Sequence, residues 1–284
     1  MKLIAFVFLF ISVKAFAGNS PIRANFDIAR FQGVYQNYSQ RNNISANSVT
    51  ANFQYLDKTT VTGKFAKTSI NLANDYSYDQ AEYFGGIRQK IYFNHGVLHI
   101  GGGYMNMSPS SGSSVQTGVA SLGLGTLNKK HYVGVSGGES FYNGLKIKQA
   151  SFIYTYSFNQ KHDSIELNVH RIFSSDATQT NNKSIYHALI AKYTHYLKTE
   201  MLLFVDEIGG SFMFGSRMYG INNDTMQINN LPQIENFALT IGPSWHIKDT
   251  LRIHLRYSLN KYSDISLNES YRLQGVYLSM NTNF

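Results

Sequence analysis

Arg252, His254 and Arg256 stand two residues apart near the end of the chain. In an extended strand alternate side chains share a face, so these three groups form one basic column. Such a column, lining a water-filled space, favours anions. Arg30, Arg88 and Lys90 are further basic candidates in alternating stretches, and Tyr277 supplies a polar aromatic group beside them. Glu166 and the adjacent Asp206 and Glu207 supply acids. If Arg30, Tyr277 and the Arg252–Arg256 column fall on neighbouring strands, they make a basic wall that faces these acids across a lumen. The opposite reading is that the charges pair with one another and merely fill the interior. Residue types alone leave both open.

Other motifs carry less. Gly134-Val135-Ser136-Gly137-Gly138 fits the G-x-S-x-G pattern. That pattern works as a strand-to-helix turn in an α/β fold, and here it falls in a glycine-rich strand region. Gly101-Gly102-Gly103 lacks the spacing of a dinucleotide-binding loop. The 9 histidines show no ligand spacing, so no metal and no cofactor is expected. His187 and His195 are expected to face outward and His170 inward, with no Ser–His pair that marks a hydrolase.

The elements that would position these residues are strands. About 14 alternating segments run from Ala29 to the C-terminus. The clearest is Leu251 to Asn260, and the weakest is Tyr132 to Gly137. Links at 57–59, 94–96, 128–130, 159–162, 198–199 and 247–249 are short. Those at 39–47, 71–79, 108–114, 138–146, 174–184, 216–232 and 261–269 are longer. Alternating short and long links suit a membrane barrel with short turns at one end and longer loops at the other. Asp206 and Glu207 are adjacent, so strict alternation would send one into lipid. A β-bulge turning both inward is expected there. The 216–232 loop is either folded into the lumen or, by default, a mobile surface loop.

In the last segment Val276, Leu278, Met280, Thr282 and Phe284 share one face, while Tyr277, Ser279, Asn281 and Asn283 share the other. A closing strand that stops at an aromatic residue resembles that of Gram-negative outer-membrane β-barrels. The N-terminus fits the same class. Lys2, an apolar run from Leu3 to Val13 and Ala15-Phe16-Ala17 read as a signal peptide over 1–17. The run is too short to span a bilayer as a helix, which takes about 20 residues. A single domain, 18–284, remains. Low charge (15%), 23 glycines, and 20 Tyr with 19 Phe suit a lipid-facing barrel, and the 0 cysteines exclude disulfides and a lipid anchor through cysteine. The net charge of +8 is spread among apolar residues rather than clustered, which argues against nucleic acid.

The expected fold is therefore all-β: a transmembrane antiparallel up-and-down barrel of about 14 strands, with 12 or 16 as alternatives. The resemblance implies periplasmic termini and an outer-membrane location. It also implies contact with outer-membrane lipid and lipopolysaccharide, and recognition by the barrel-assembly machinery through the strand ending at Phe284. Three functions compete. The first is a porin-like channel for small hydrophilic, anionic solutes. The second is a non-conducting barrel with a surface, structural or secretion-associated role. The third is an outer-membrane lipid hydrolase. A fatty-acid transporter would carry an N-terminal plug, for which about ten residues leave no room.

Overall fold

In a computed structural model the described residues are 21–180, 182–197, 205–222, 227–228, 233–247, 250–264 and 267–284. The expected leader, 1–17, lies outside them, as does the short link expected at 198–199. The strands are β1 (Ile22–Gln36), β2 (Arg41–Tyr55), β3 (Thr59–Leu72), β4 (Ser77–Phe93), β5 (Gly96–Pro109), β6 (Val115–Thr126), β7 (His131–Tyr142), β8 (Leu145–Phe158), β9 (Asp163–Ser174), β10 (Ile185–Tyr196) and β11 (Glu207–Arg217). A two-residue pair, β12 (Ile221–Asn222) and β13 (Gln227–Ile228), precedes β14 (Ile234–Ile247), β15 (Leu251–Asp264) and β16 (Glu269–Asn283).

All strands except β12 and β13 close into one antiparallel barrel of 14 strands. β1 pairs with β16 over Asn25↔Asn283 to Gln36↔Arg272. Ala24 and Phe284 exchange both backbone bonds at 3.1 and 2.8 Å, and Phe284 packs edge-on against Phe26. Closure leaves no unpaired edge, the only way a sheet satisfies its backbone in hydrocarbon.

The strands are longer than the alternation suggests, and several links are shorter. β1 begins at Ile22 rather than Ala29, and β2 takes in most of 39–47. The link expected over 138–146 is a two-residue turn, Asn143-Gly144, with φ +76° at the glycine. β7, the weakest segment in sequence, is a full 12-residue strand.

Strand parity reveals one feature that the alternation alone hides. Near the termini the outward residues are apolar and the inward ones polar. Toward the far end the two faces exchange character. On β1 the outward series runs Ile22, Ala24, Phe26, Ile28, then Arg30, Gln32. The inward series runs Asn25, Asp27, then Ala29, Phe31, Gly33, Tyr35. β16 repeats it: outward Met280, Leu278 and Val276 give way to Gln274 and Arg272, while inward Asn281, Ser279 and Tyr277 give way to Leu273 and Tyr271. On β8, outward Phe152 and Ala150 give way to Lys148 and Lys146, and inward Ser151 to Ile147 and Leu145.

The near half is thus built for lipid outside and water inside. The far half is built like a soluble protein, with its apolar side chains turned in. The exposed large hydrophobics Ile28, Phe65, Tyr83, Val169 and Leu278 belong to the outward near-half band. Beyond the band stand the charged outward residues Arg30, Lys67, Lys148, Arg171, Lys261 and Arg272.

Candidate functional site

The lumen follows the same division. Its far part is filled. Inward residues from nearly every strand are closed to water there, among them Tyr35, Ile70, Met105, Met107, Val115, Ile147, Ile172, Tyr186, Met213 and Tyr271. All of these but Met213 belong to three apolar clusters that the link between β11 and β14 helps to join. At one end of that link Met218 and Tyr219 reach Leu145, Ile147, Ile172 and Tyr186, with the Tyr219 and Tyr142 rings 4.7 Å apart. At the other end Gln233, 1% exposed, is held on all sides. Its amide nitrogen donates to Tyr38 Oη (2.9 Å) and Asp264 Oδ2 (3.2 Å). Its carbonyl accepts from Arg41 Nη1 (2.8 Å) and the Tyr271 hydroxyl (2.7 Å). Tyr38 stacks on Tyr271 with centroids 4.1 Å apart. The described start of the 216–232 loop, Met218 and Tyr219, and Gln233 just beyond its end therefore turn inward, against the default of a surface loop.

The near part is a polar vestibule of about 830 Å³ at the level of the apolar band. Asp27, Ser48, Thr50, Asn52, Thr62, Lys64, Arg88, Ser121, Thr155, Glu166, His254, Arg256, Tyr277 and Ser279 line it. Its wall between β4 and β7 is rich in glycine, so the rings there lie close to the backbone.

The candidate residues sort into several environments. Arg88 and Lys90 lie on the inward face of β4. Lys90 reaches Asp57 at the near rim, 3.4 Å away. Arg88 is exposed to the lumen and forms no ion pair among the described residues. Glu166 faces inward but is bound by Lys192 at 2.7 Å, a partner that sequence reasoning missed because it stands on the neighbouring β10.

Arg252, His254 and Arg256 do share the inward face of β15, with Tyr277 facing Arg256 from β16. The acid opposed to them is not across the lumen. Glu207, at the start of β11, is only one strand beyond β14 and is nearly buried. It pairs with Arg252 and, at 3.2 Å, with Arg256. Ser244 Oγ donates to Glu207 (3.2 Å), accepts from Arg256 (2.9 Å) and lies 2.8 Å from His254 Nδ1. Arg256 also donates to the Gly242 and Pro243 carbonyls at 2.6 and 2.5 Å. Gly209 makes the space: a Cβ there would stand 3.1 Å from Arg256 Nη2.

Two expectations are corrected. Arg30 is not in the lumen: it pairs in register with Leu278 and Asn47 on the outward face, just past the apolar band. Its inward neighbours are Ala29 and Phe31, because this part of the lumen is apolar. No β-bulge turns Asp206 and Glu207 inward together. Glu207 opens β11 facing inward, whereas Asp206 precedes the strand and accepts the backbone N–H of His246.

The Ser–His pairs of the described residues lie inside the barrel. Ser151 Oγ is 2.8 Å from His170 Nδ1, and Ser244 is engaged as above. Both serines are buried. On the outward face His195 meets Asp163 at 2.7 Å, with Tyr193 donating to the same carboxylate at 2.6 Å. No hydroxyl nucleophile bonds this histidine among the described residues.

Neither a protein-family model nor a curated protein matches the sequence. Solved structures do share the fold. The Pseudomonas putida toluene transporter TodX superposes with a TM-score of 0.55 at 8% identity, over 93% of this chain and 89% of that one. A Pseudomonas aeruginosa FadL homologue gives 0.52 at 8%, over 94% and 93%. The Acinetobacter baumannii outer membrane protein Omp33 gives 0.50 at 10%, over 92% and 99%. Strand number, closure and the outward apolar band define a bacterial outer-membrane β-barrel of porin-like architecture, without a specific family.

Proposed function

We propose that this barrel is an outer-membrane channel for small hydrophilic, anionic solutes, gated at its far end by opening of the packed layer described above. The observation that carries this reading is the vestibule of about 830 Å³ at lipid level, where hydroxyl, amide and charged groups are set among glycines and apolar side chains such as Phe84, Val119 and Ile153. A barrel with only a structural role has no need of a wet cavity inside its membrane band. The toluene transporter TodX supports a transport role by analogy of fold.

Charge favours anions. On the inward near-half faces and rim, Lys64, Arg88, Lys90, Lys192, Arg252 and Arg256 stand against Asp27, Asp57, Glu82, Glu166 and Glu207, and Asp57 holds Lys90. Pairing with Glu207 blunts the arginine column, so the surplus centres on Arg88. In this reading the pore-lining residues are Arg88, Lys90, Glu166, Glu207, Arg252, His254, Arg256 and Tyr277. The termini are periplasmic and the packed far end faces outside. The outward charges Arg30, Lys148, Arg171 and Arg272 meet lipopolysaccharide phosphates, and the strand ending at Phe284 is the handle for assembly.

Planar-bilayer recordings under a KCl gradient test this. The expected result is a reversal potential of anion preference that Arg88→Ala moves toward zero. Cation preference, untouched by Arg88→Ala, would overturn it. The packed far end favours one second reading, a permanently closed barrel, which predicts no current from the wild type or from a variant with that end loosened.

A further inference from the structure

Tyr132 is the side chain in the vestibule with the most unusual seat. It faces inward from β7, and its ring lies along the wall over Gly123 and Gly134. Both glycines are buried although they face the lumen. A Cβ on Gly134 would meet the Tyr132 hydroxyl at 2.9 Å, and one on Gly123 would collide with the same group. The glycines therefore seat the ring with one face on the backbone. The rest of the side chain borders the cavity. His99 meets the ring edge-on, with centroids 5.4 Å apart and planes at 88°, which holds its orientation. Among the described residues the Tyr132 hydroxyl bonds no protein atom.

Two further features share the cavity. Arg88 projects into it from β4 without a carboxylate partner. Ser48, Thr50, Asn52 and Thr62 on β2 and β3 form a ladder of short polar groups, in which Thr62 donates to Asn52 at 2.7 Å and each oxygen keeps capacity to accept. Arg88 and Tyr132 stand three strands apart, and since Arg88 is level with Gly101, Ser121 and Ser136 they are also offset by four residues along the strands, which puts about 20 Å between backbones at about 4.8 Å per strand and about 3.4 Å per residue; the Tyr132 ring leans over Gly134, back toward the level of Arg88. Their side chains shorten that gap to the length of one or two sugar rings.

We propose that the vestibule is a binding site for an acidic saccharide, with a sugar ring stacked on Tyr132 and its carboxylate at Arg88. The inference rests on the channel reading above and names its solute class. An aromatic face accepts the flat C–H face of a sugar ring. A guanidinium receives a carboxylate in two parallel hydrogen bonds. Sugar hydroxyls exchange water for the ladder at little cost, because both sides donate and accept. An aromatic acid would satisfy the ring and the arginine but leave the ladder unmatched.

Titration calorimetry on the full-length detergent-solubilised protein decides it, with digalacturonate, the neutral disaccharide cellobiose and benzoate as probes. Digalacturonate should bind about tenfold more tightly than cellobiose, the size of one charge-assisted contact. Arg88→Ala should erase that preference. Tyr132→Ala should weaken both sugars about tenfold, and Tyr132→Phe, which keeps the ring, should retain most of the affinity. No binding of either sugar, binding unchanged in both Arg88→Ala and Tyr132→Ala, or benzoate binding as tightly as digalacturonate would overturn the proposal. KCl conductance separates the two levels. A wild type that conducts but binds no saccharide sinks only this inference, whereas one that conducts under no condition sinks the channel reading as well.

Discussion

Gln233 and Arg41 are joined by a 2.8 Å hydrogen bond although 192 residues separate them in the chain. Gln233 immediately precedes β14 and Arg41 opens β2, and β15, β16 and β1 lie between those strands around the barrel. The bond is therefore a chord across the far mouth rather than a contact along its wall. With Tyr38, Asp264 and Tyr271 it makes the buried polar knot that fastens the β11–β14 link inside the barrel.

Gln233→Ala removes both halves of that amide at once and leaves Arg41, Tyr271 and Asp264 short of a partner. Each buried group left unpaired costs about 1–3 kcal/mol. The variant should unfold at lower temperature than the wild type in heat-modifiability gels, and its single-channel conductance should rise. Unchanged conductance with unchanged melting would show that the knot holds nothing shut.

The same knot gives a pH dependence. Tyr38 lies in the link after β1, where burial first and its hydrogen bond to Asp264 second raise its pKa above the ordinary tyrosine value. A group with a raised folded pKa lends stability that is whole below its unfolded pKa, about 10. That stability is lost as pH rises toward the folded value. Conductance should therefore be steady from neutral pH to about 10 and increase above it, and Tyr38→Phe should abolish the increase. An increase that survives in Tyr38→Phe would assign it elsewhere.

Charge changes should separate the true lumen from its outward neighbours. Glu207→Gln removes the carboxylate shared by Arg252 and Arg256 and should shift the reversal potential toward stronger anion preference. Arg30→Gln should leave it unchanged, because Arg30 stands on the outward face. The opposite ranking in bilayer recordings would mean that the β1 register is wrong.

Glycine positions report on ring seating. A Cβ at Gly103 would meet Phe84 ring carbons at 2.6 and 2.7 Å, and one at Gly86 would meet them at 2.6 and 2.9 Å. Gly103→Ala should force Phe84 away from the wall and cost about 1–3 kcal/mol as overpacking. Gly63→Ala, whose Cβ meets nothing within 4 Å, should be near neutral and serves as the comparison.

Much of this was legible in the sequence where one face met lipid and the other water. The faces of β15 over 251–260 and of β16 over 276–283 read correctly because Leu251, Ile253 and Leu255 oppose Arg252, His254 and Arg256 without interruption, although both strands run on into the link expected at 261–269. β1 misread because its clearest alternation, Ala29 to Tyr35, lies beyond the apolar band. There the apolar residues point in, so equating apolar with lipid-facing put Arg30 on the wrong side. Period two marks two faces but does not say which is which. The Glu207 cluster was hidden for another reason: its partners are 45 and 49 residues away and meet it only because β11, β14 and β15 lie side by side in the sheet. Gln233 gave no signal at all, since a lone glutamine at a loop end resembles any surface residue.

The division of the lumen into a wet near half and a packed far half can be measured directly, because the chain contains 0 cysteines. Single cysteines should be placed at Thr62, which lines the vestibule, and at Met107, which is 0% exposed at the far end. A membrane-impermeant maleimide, applied to protein reconstituted in vesicles and opened to both sides, should label Thr62→Cys readily. It should label Met107→Cys only when Gln233→Ala is also present. Equal labelling of both cysteines in the otherwise unchanged protein would contradict the account.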